Sequence, residues 1–200
     1  HLCHCSTYGS VEIVKQAKKQ DIHVTAEVCP HHFTLTSKDV DASDANYKMN
    51  PPLRTKKDVE ALKRGLRDDI MDVIATDHAP HSEEEKRRSF TAAPFGIVGL
   101  ETSFALGYTE LVKRGILSLS ELVAKMSTNP AKVLGIAKGT LKPGTAADVV
   151  VADIDTEYAI DSSKFLSKGT NTPFDGKLVY GKVLNTFVDG KLVYSEERNG

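Results

Sequence analysis

The sequence predicts an α/β fold: part of a (β/α)8 TIM-type barrel over residues 1–139, followed by a small β-rich domain over residues 140–200. Three observations predict it. Strand-like runs alternate with amphipathic helical runs three times in the first half. The loops after the strands are long, whereas a return such as "KKQDIHV" is tight, the asymmetry of a barrel that carries its chemistry on one rim. Past residue 140 the pattern changes to short β runs broken by Gly and Pro turns. An open doubly wound sheet would give the same alternation, and the loop lengths favour the barrel. A complete barrel takes about 250 residues, so three βα units are expected to be a truncated one.

Each element has its own signal. "HLCHCS" reads as a strand and "VEIVKQAKKQ" as the helix after it, with Ser10 as the expected cap. "IHVTAEV" (22–28) is a β-branched run, followed by a long loop through "CPHHFTLTSKDVDASDANYKMNPPLR" and the charged helix "KKDVEALKRGLRDD". The strand "MDVIAT" stops at Asp77, which opens the loop "DHAPHSEEEKRRSFTAAPFGIVGLET" before an amphipathic helix near 103–114. "LSLSELVAKMSTNPAKVLGI" reads as two helices, the first capped by a Ser118–Glu121 box and the second by Asn129 ahead of Pro130. In the tail, Asp189-Gly190 marks a hairpin, and the echo of "GKLVY" at 176–180 and 190–194 is two similar strands rather than a repeat.

Composition limits the setting. The 200 residues are 40% hydrophobic with a formal charge of −1, enough for a real core. The longest basic cluster, Lys86-Arg87-Arg88, is too small for a nucleic-acid surface. No apolar run approaches the ~18 residues of a membrane span, and no secretory signal pattern opens the chain, so a cytoplasmic protein is expected. Cys3, Cys5 and Cys29 match no disulfide framework and are expected as thiols.

Strand alternation puts Leu2, His4 and Ser6 on one face and His1, Cys3 and Cys5 on the other. His4 then lies near the strand's carboxyl end, where barrel sites are built, and a neutral imidazole there suits a zinc-class metal. The alternative is a hydrogen-bonded core histidine. The same parity separates His4 from the cysteines and argues against a shared Cys-His-Cys site. Asp77 ends an apolar strand on the face of Val73 and Ala75, where a buried carboxylate needs a cation or a hydrogen-bond partner. A metal would supply one, and a carboxylate beside a metal and its water can act as ligand and general base together. The alternative is a turn cap before "HAP". Of His31 and His32, one could support the site, with a structural hydrogen bond the simpler role. His78 points away from the Asp77 face and is left unassigned.

"HLCHCST", "AEVCPHHFTLT", "YKMNPPLR", "ATDHAPH" and "APFGIVGLET", in this order, resemble the carboxyl-terminal half of bacterial dihydroorotases of the amidohydrolase superfamily. The resemblance implies the last three βα units of the barrel plus part of the superfamily's small composite domain. It implies that His4 and Asp77 are zinc ligands, Asp77 also being the catalytic acid/base. It further implies that Asn50 and His81 contact substrate and that Phe95 and Gly96 offer backbone contacts. The implied reaction is the reversible cyclisation of N-carbamoyl-L-aspartate to L-dihydroorotate in pyrimidine biosynthesis. The family's two-zinc centre also uses a His-x-His pair, a bridging carboxylate or carboxylated lysine and a further histidine, from a half that would precede residue 1. These 200 residues alone are therefore expected to be inactive. Alternatives are a hydantoinase- or allantoinase-type enzyme, or a non-catalytic subunit scaffolding aspartate transcarbamoylase. A homodimer is a further expectation.

Overall fold

Thr7, not Ser10, starts the first helix. The computed structural model describes residues 1–199, and in it the Thr7 side chain accepts from the Ser10 N–H at 3.1 Å. The Ser10 hydroxyl in turn takes up the Thr7 N–H at 3.3 Å, so Ser10 is the second half of a capping box whose cap lies three residues earlier. Helix α1 (Tyr8–Lys19) buries Val11 and Val14 against α3 (Lys56–Arg67), which turns Val59, Leu62 and Leu66 inward.

The barrel strands are shorter than their sequence patterns. β1 (Glu27–Val28) and β2 (Val73–Ile74) pair in parallel, Glu27 opposite Val73, and "HLCHCS" contributes a single parallel bridge, Leu2 to Ala26. The expected spans therefore shrink at both ends. His4 and Asp77 adopt φ of 50° and 49°, which ends extended structure at those residues. At the other end, the Asp72 carboxylate takes the Ala26 N–H at 2.9 Å, and the ladder begins there. Both paired strands are buried throughout, as expected for a parallel wall covered on both faces.

Short helices α2 (Pro30–Thr34) and α4 (Glu83–Lys86) sit in the two post-strand loops. The helix expected over 103–114 forms as α5 (Ser103–Gly107), continuing in a π-helical turn over Tyr108–Val112. Ser118 caps α6 (Leu119–Val123) as the sequence indicates, its hydroxyl accepting from Glu121 N–H at 3.2 Å. Asn129 does not open a separate helix. A π-helical turn over Ala124–Thr128 runs straight into α7 (Asn129–Leu134), and the Asn129 amide is spent on the Asp72 carbonyl at 2.9 Å. A widened turn is a common way to bring a helix up to a proline, whose ring and missing N–H disfavour a regular α-turn.

In the tail, β3 (Val149–Asp153), β6 (Lys182–Val188) and β7 (Lys191–Ser195) form an antiparallel sheet in the order β3-β6-β7. Asp189 and Gly190, at φ 47° and 76°, make the expected β6–β7 hairpin turn. β4 (Tyr158–Ala159) pairs with β5 (Leu178–Val179), and α8 (Glu196–Asn199) closes the described chain.

Two apolar clusters hold these parts together. One joins Val14, Val28, Phe33, Leu62, Met71, Ile74 and Leu111 between the barrel wall and its helices. The other joins Met49, Leu53, Ile97 and Leu106 to Ile160, Phe174 and Val179, so the 158–180 segment packs on the rim loops and the helix that follows them. Lys63 and Glu110 are buried together, 3.4 Å apart, with Arg114 Nε 2.8 Å from the same carboxylate. Among the described residues no helix is long and apolar enough to cross a membrane.

Candidate active site

The left-handed turn at His4 swings its ring toward the carboxyl ends of β1 and β2. His4 Nε2 lies 3.5 Å from Asp77 Oδ1 and 3.8 Å from Glu27 Oε1. The structure thus brings together the two residues singled out as metal ligands. Two donors about 2.0–2.2 Å from one tetrahedral ion stand roughly 3.3–3.5 Å apart, so this pair fits a shared zinc-class ion as part of its ligand set. Among the described residues, groups of three potential donors within 4.8 Å of one another are Cys29–His31–His32 and His1–Cys3–Glu27. Neither contains His4 or Asp77.

Strand parity fails at one point. It places His1 on the face opposite His4, yet His1 Nε2 donates to Glu27 Oε2 at 2.9 Å while the His4 N–H donates to Glu27 Oε1 at 3.3 Å. The positive φ at His4 breaks the alternation, and one carboxylate reaches both histidines. Glu27 is the functional candidate that sequence reasoning missed. Its signal was present: a glutamate inside "TAEVC", buried to 8% exposure, must have partners. Burial holds the Asp77 carboxyl above its ordinary pKa; His4 opposes this and Glu27 adds to it.

His32 makes the simpler of the two contacts foreseen, donating from Nε2 to the Pro51 carbonyl at 2.8 Å. Burial lowers the pKa of both His31 and His32, the latter to about 4, so both rings are neutral. His78 acquires a role: its Nδ1 accepts from the Gly99 N–H at 3.1 Å and the Leu100 N–H at 3.4 Å, tying the two ends of the loop after β2. Thr76 lies against the same glycine, whose added Cβ would meet the Thr76 carbonyl at 2.9 Å.

Three of the four residues expected to contact substrate form one unit. His81 Nε2 donates to the Phe95 carbonyl at 2.9 Å, and Gly96 follows at φ 116°. The Gly96 backbone is occupied within the protein: its N–H donates to Lys48 O at 3.0 Å and its carbonyl accepts from Lys86 Nζ at 3.0 Å. Lys48 Nζ caps the Thr91 and Ala93 carbonyls at 2.9 and 2.6 Å and sits 4.6 Å over the Phe95 ring. Among the described residues, the Phe95 N–H carries no hydrogen bond. Asn50, exposed beside the cis Asn50–Pro51 bond, is two residues from Lys48 and so borders this unit. A cleft of about 530 Å³ opens beside the contact of loop and tail, lined by Asn46, His81, Lys86, Thr170, Asn171 and Thr172 among others.

A parallel wall whose carboxyl ends bring an imidazole against a carboxylate, under long polar loops, is the arrangement of a barrel rim that can hold a metal. The chain belongs to the amidohydrolase family, whose description matches residues 1–193. Individually it is similar to dihydroorotases. It is 54% identical over 181 residues to that of Pelotomaculum thermopropionicum and 56% identical over 176 residues to that of Anoxybacillus flavithermus. These alignments cover 90% and 88% of the chain but 42% and 41% of the relatives, so the chain spans less than half their length. Among solved structures it is similar to an L-hydantoinase (dihydropyrimidinase) from Arthrobacter aurescens, with TM-score 0.91 and 33% identity over 97% of this chain and 44% of that one. A dihydropyrimidinase from Brevibacillus agri matches at TM-score 0.91 and 29% identity, over 98% and 44%. The chain thus has the fold of part of such a barrel.

Proposed function

We propose that these residues belong to a dihydroorotase that interconverts N-carbamoyl-L-aspartate and L-dihydroorotate by closing or opening a cyclic amide. The observation that carries this reading is the 3.5 Å approach of His4 Nε2 to Asp77 Oδ1 at the barrel rim, in a chain 54–56% identical to dihydroorotases. In this reading His4 and Asp77 hold a divalent metal, zinc by the chemistry of an imidazole and a carboxylate, with the remaining ligands coming from outside these residues. When bound, the metal supplies Lewis-acid polarisation of the reacting carbonyl. Asp77 carries the proton between the attacking group and the ring nitrogen, which must be protonated to leave when the amide opens. Glu27 holds His4 in its turned conformation. His81, through its ring face opposite the Phe95 bond, and the free Phe95 N–H orient the substrate, with Asn50 beside them; Gly96 serves by its conformation, since its own polar groups are taken.

The same reading includes a cytoplasmic enzyme of pyrimidine biosynthesis and a composite domain that takes in residues 140–200. Homodimerisation and association with aspartate transcarbamoylase belong to it as well. A non-catalytic scaffold has no physical need for the His4–Asp77 approach. The test uses the complete polypeptide: dihydroorotate formed from N-carbamoyl-L-aspartate is measured beside hydrolysis of hydantoin, dihydrouracil and allantoin. Cyclisation as the preferred reaction, lost by about 10²–10⁴-fold in Asp77→Asn, supports the proposal. Preferred turnover of hydantoin or dihydrouracil transfers the assignment to a hydantoinase, and no turnover with metal bound removes the catalytic reading.

A further inference from the structure

Asn171 lies in the tail segment that packs on the rim loops, and it is 6% exposed. Its Oδ1 accepts from the His81 N–H at 2.9 Å. Its Nδ2 donates to the Ala79 carbonyl at 3.0 Å and to the Gly96 carbonyl at 3.1 Å. Its own carbonyl accepts from the Val98 N–H at 3.0 Å. One amide therefore uses its acceptor and both its donors on the two limbs of the substrate loop, residues 79–81 and 96. No other side chain of this size offers one acceptor and two donors. The approach is close enough to require glycine nearby: a Cβ on Gly169 would lie 2.9 Å from both the N and the O of His81.

We propose that Asn171 is a positioning residue for substrate binding, setting His81 and the Phe95 N–H relative to each other; this rests on the reading of the loop given above. The other ties explain why its role is positional rather than merely structural. Without the Asn171 amide, Gly96 O still accepts from Lys86, and the Ala79 N–H still donates to Ile97 O at 2.9 Å. The loop stays attached, but nothing then holds the His81 N–H, and both limbs lose their common reference point. An aspartate in place of Asn171 would be worse than an alanine, since a carboxylate would face two carbonyl oxygens with no donor between them.

The test uses the complete polypeptide with its metal bound. Asn171→Ala and Asn171→Asp are expected to raise KM for N-carbamoyl-L-aspartate about tenfold to a hundredfold, with kcat changed less than threefold and metal content unchanged. Thr109→Val serves as the control. It removes another tie to the tail, the 2.9 Å bond from Tyr180 N–H to Thr109 Oγ1, and is expected to leave KM within twofold. A second readout needs no turnover: the His81 Nε2–H resonance, held by Phe95 O, is expected to exchange faster in both Asn171 variants. Unchanged KM and exchange in folded Asn171 variants overturn the proposal, as does an equal KM rise in Thr109→Val, which would mark general loosening of the tail. If the unsubstituted enzyme does not cyclise N-carbamoyl-L-aspartate, the functional reading fails while the resonance still tests Asn171.

Discussion

Gly96→Ala separates steric from conformational demands at the substrate loop. Gly96 has φ of 116°, a region that L-residues rarely adopt, and an added Cβ would stand 2.5 Å from the Ala79 Cβ. Carbon atoms in contact prefer about 3.5–4.0 Å, so one limb must move by about 1 Å or more. Ala79 cannot simply rotate away, because its N–H and carbonyl are bonded to Ile97 and Asn171. Conformational strain of about 1–3 kcal/mol and overpacking of about 1–3 kcal/mol give an expected loss of about 2–6 kcal/mol. Gly115→Ala is the matched comparison: φ is 69° and nothing lies within 4 Å of its added Cβ, so only the left-handed cost of about 1–2 kcal/mol applies. Urea unfolding of both variants, with unchanged m-values, measures the two losses. Equal losses would falsify the reasoning, because they would mean that the Ala79 contact relaxes without cost.

Three further outcomes are expected. Glu110→Ala leaves Lys63 buried without its 3.4 Å partner and should cost about 3–5 kcal/mol in denaturant unfolding, much of it recovered by adding Lys63→Met. His32, at a folded-state pKa of about 4, binds its proton less readily than in the unfolded chain; stability should be complete above about pH 6.5 and fall by about 3 kcal/mol as pH drops to about 4. Chelator-treated protein measured across that window should show at least this slope, because burial lowers His31 as well, and His32→Gln should remove about 3 kcal/mol of the fall while the His31 part stays. Glu27→Gln weakens the hold on His4 and His1 and should reduce metal affinity about 10–100-fold in chelator competition; affinity within twofold of the unsubstituted protein would remove Glu27 from the site.

Signals that act over three or four residues were legible in the sequence. The Ser118–Glu121 box and the Asp189-Gly190 hairpin form as read, because their partners are neighbours in the chain. Thr7 and Ser10 show the limit of such signals, since both are hydroxyl residues at capping spacing and only the backbone distinguishes the cap from its third-position partner. His4 and Asp77 were each singled out by an alternation that does not hold at either residue, and only the family resemblance joined them as a pair. Their φ near 50° is what turns the two side chains together, and a histidine or aspartate in that conformation leaves no mark in a hydrophobic pattern. Asn129 carried a capping signal that the structure does not use, because the helix runs through it at φ −70° and ψ −46°, while its Nδ2 donates to the Asp72 carbonyl. Asn171 carried no local signal, because the groups it serves are 75 to 92 residues away in the chain.

That separation gives the loop an order of assembly during synthesis. The clamps on its carbonyls come from Lys48 and Lys86, which precede or lie within it and can engage as soon as the loop is made. The bond from His81 reaches a residue 90 positions further on, and at ribosomal rates of about 5–20 residues per second it must wait roughly 5–20 s. A nascent chain therefore holds a bent but unlocked rim until the tail emerges, and the surface meant for substrate is among the last parts of the molecule to acquire its final shape.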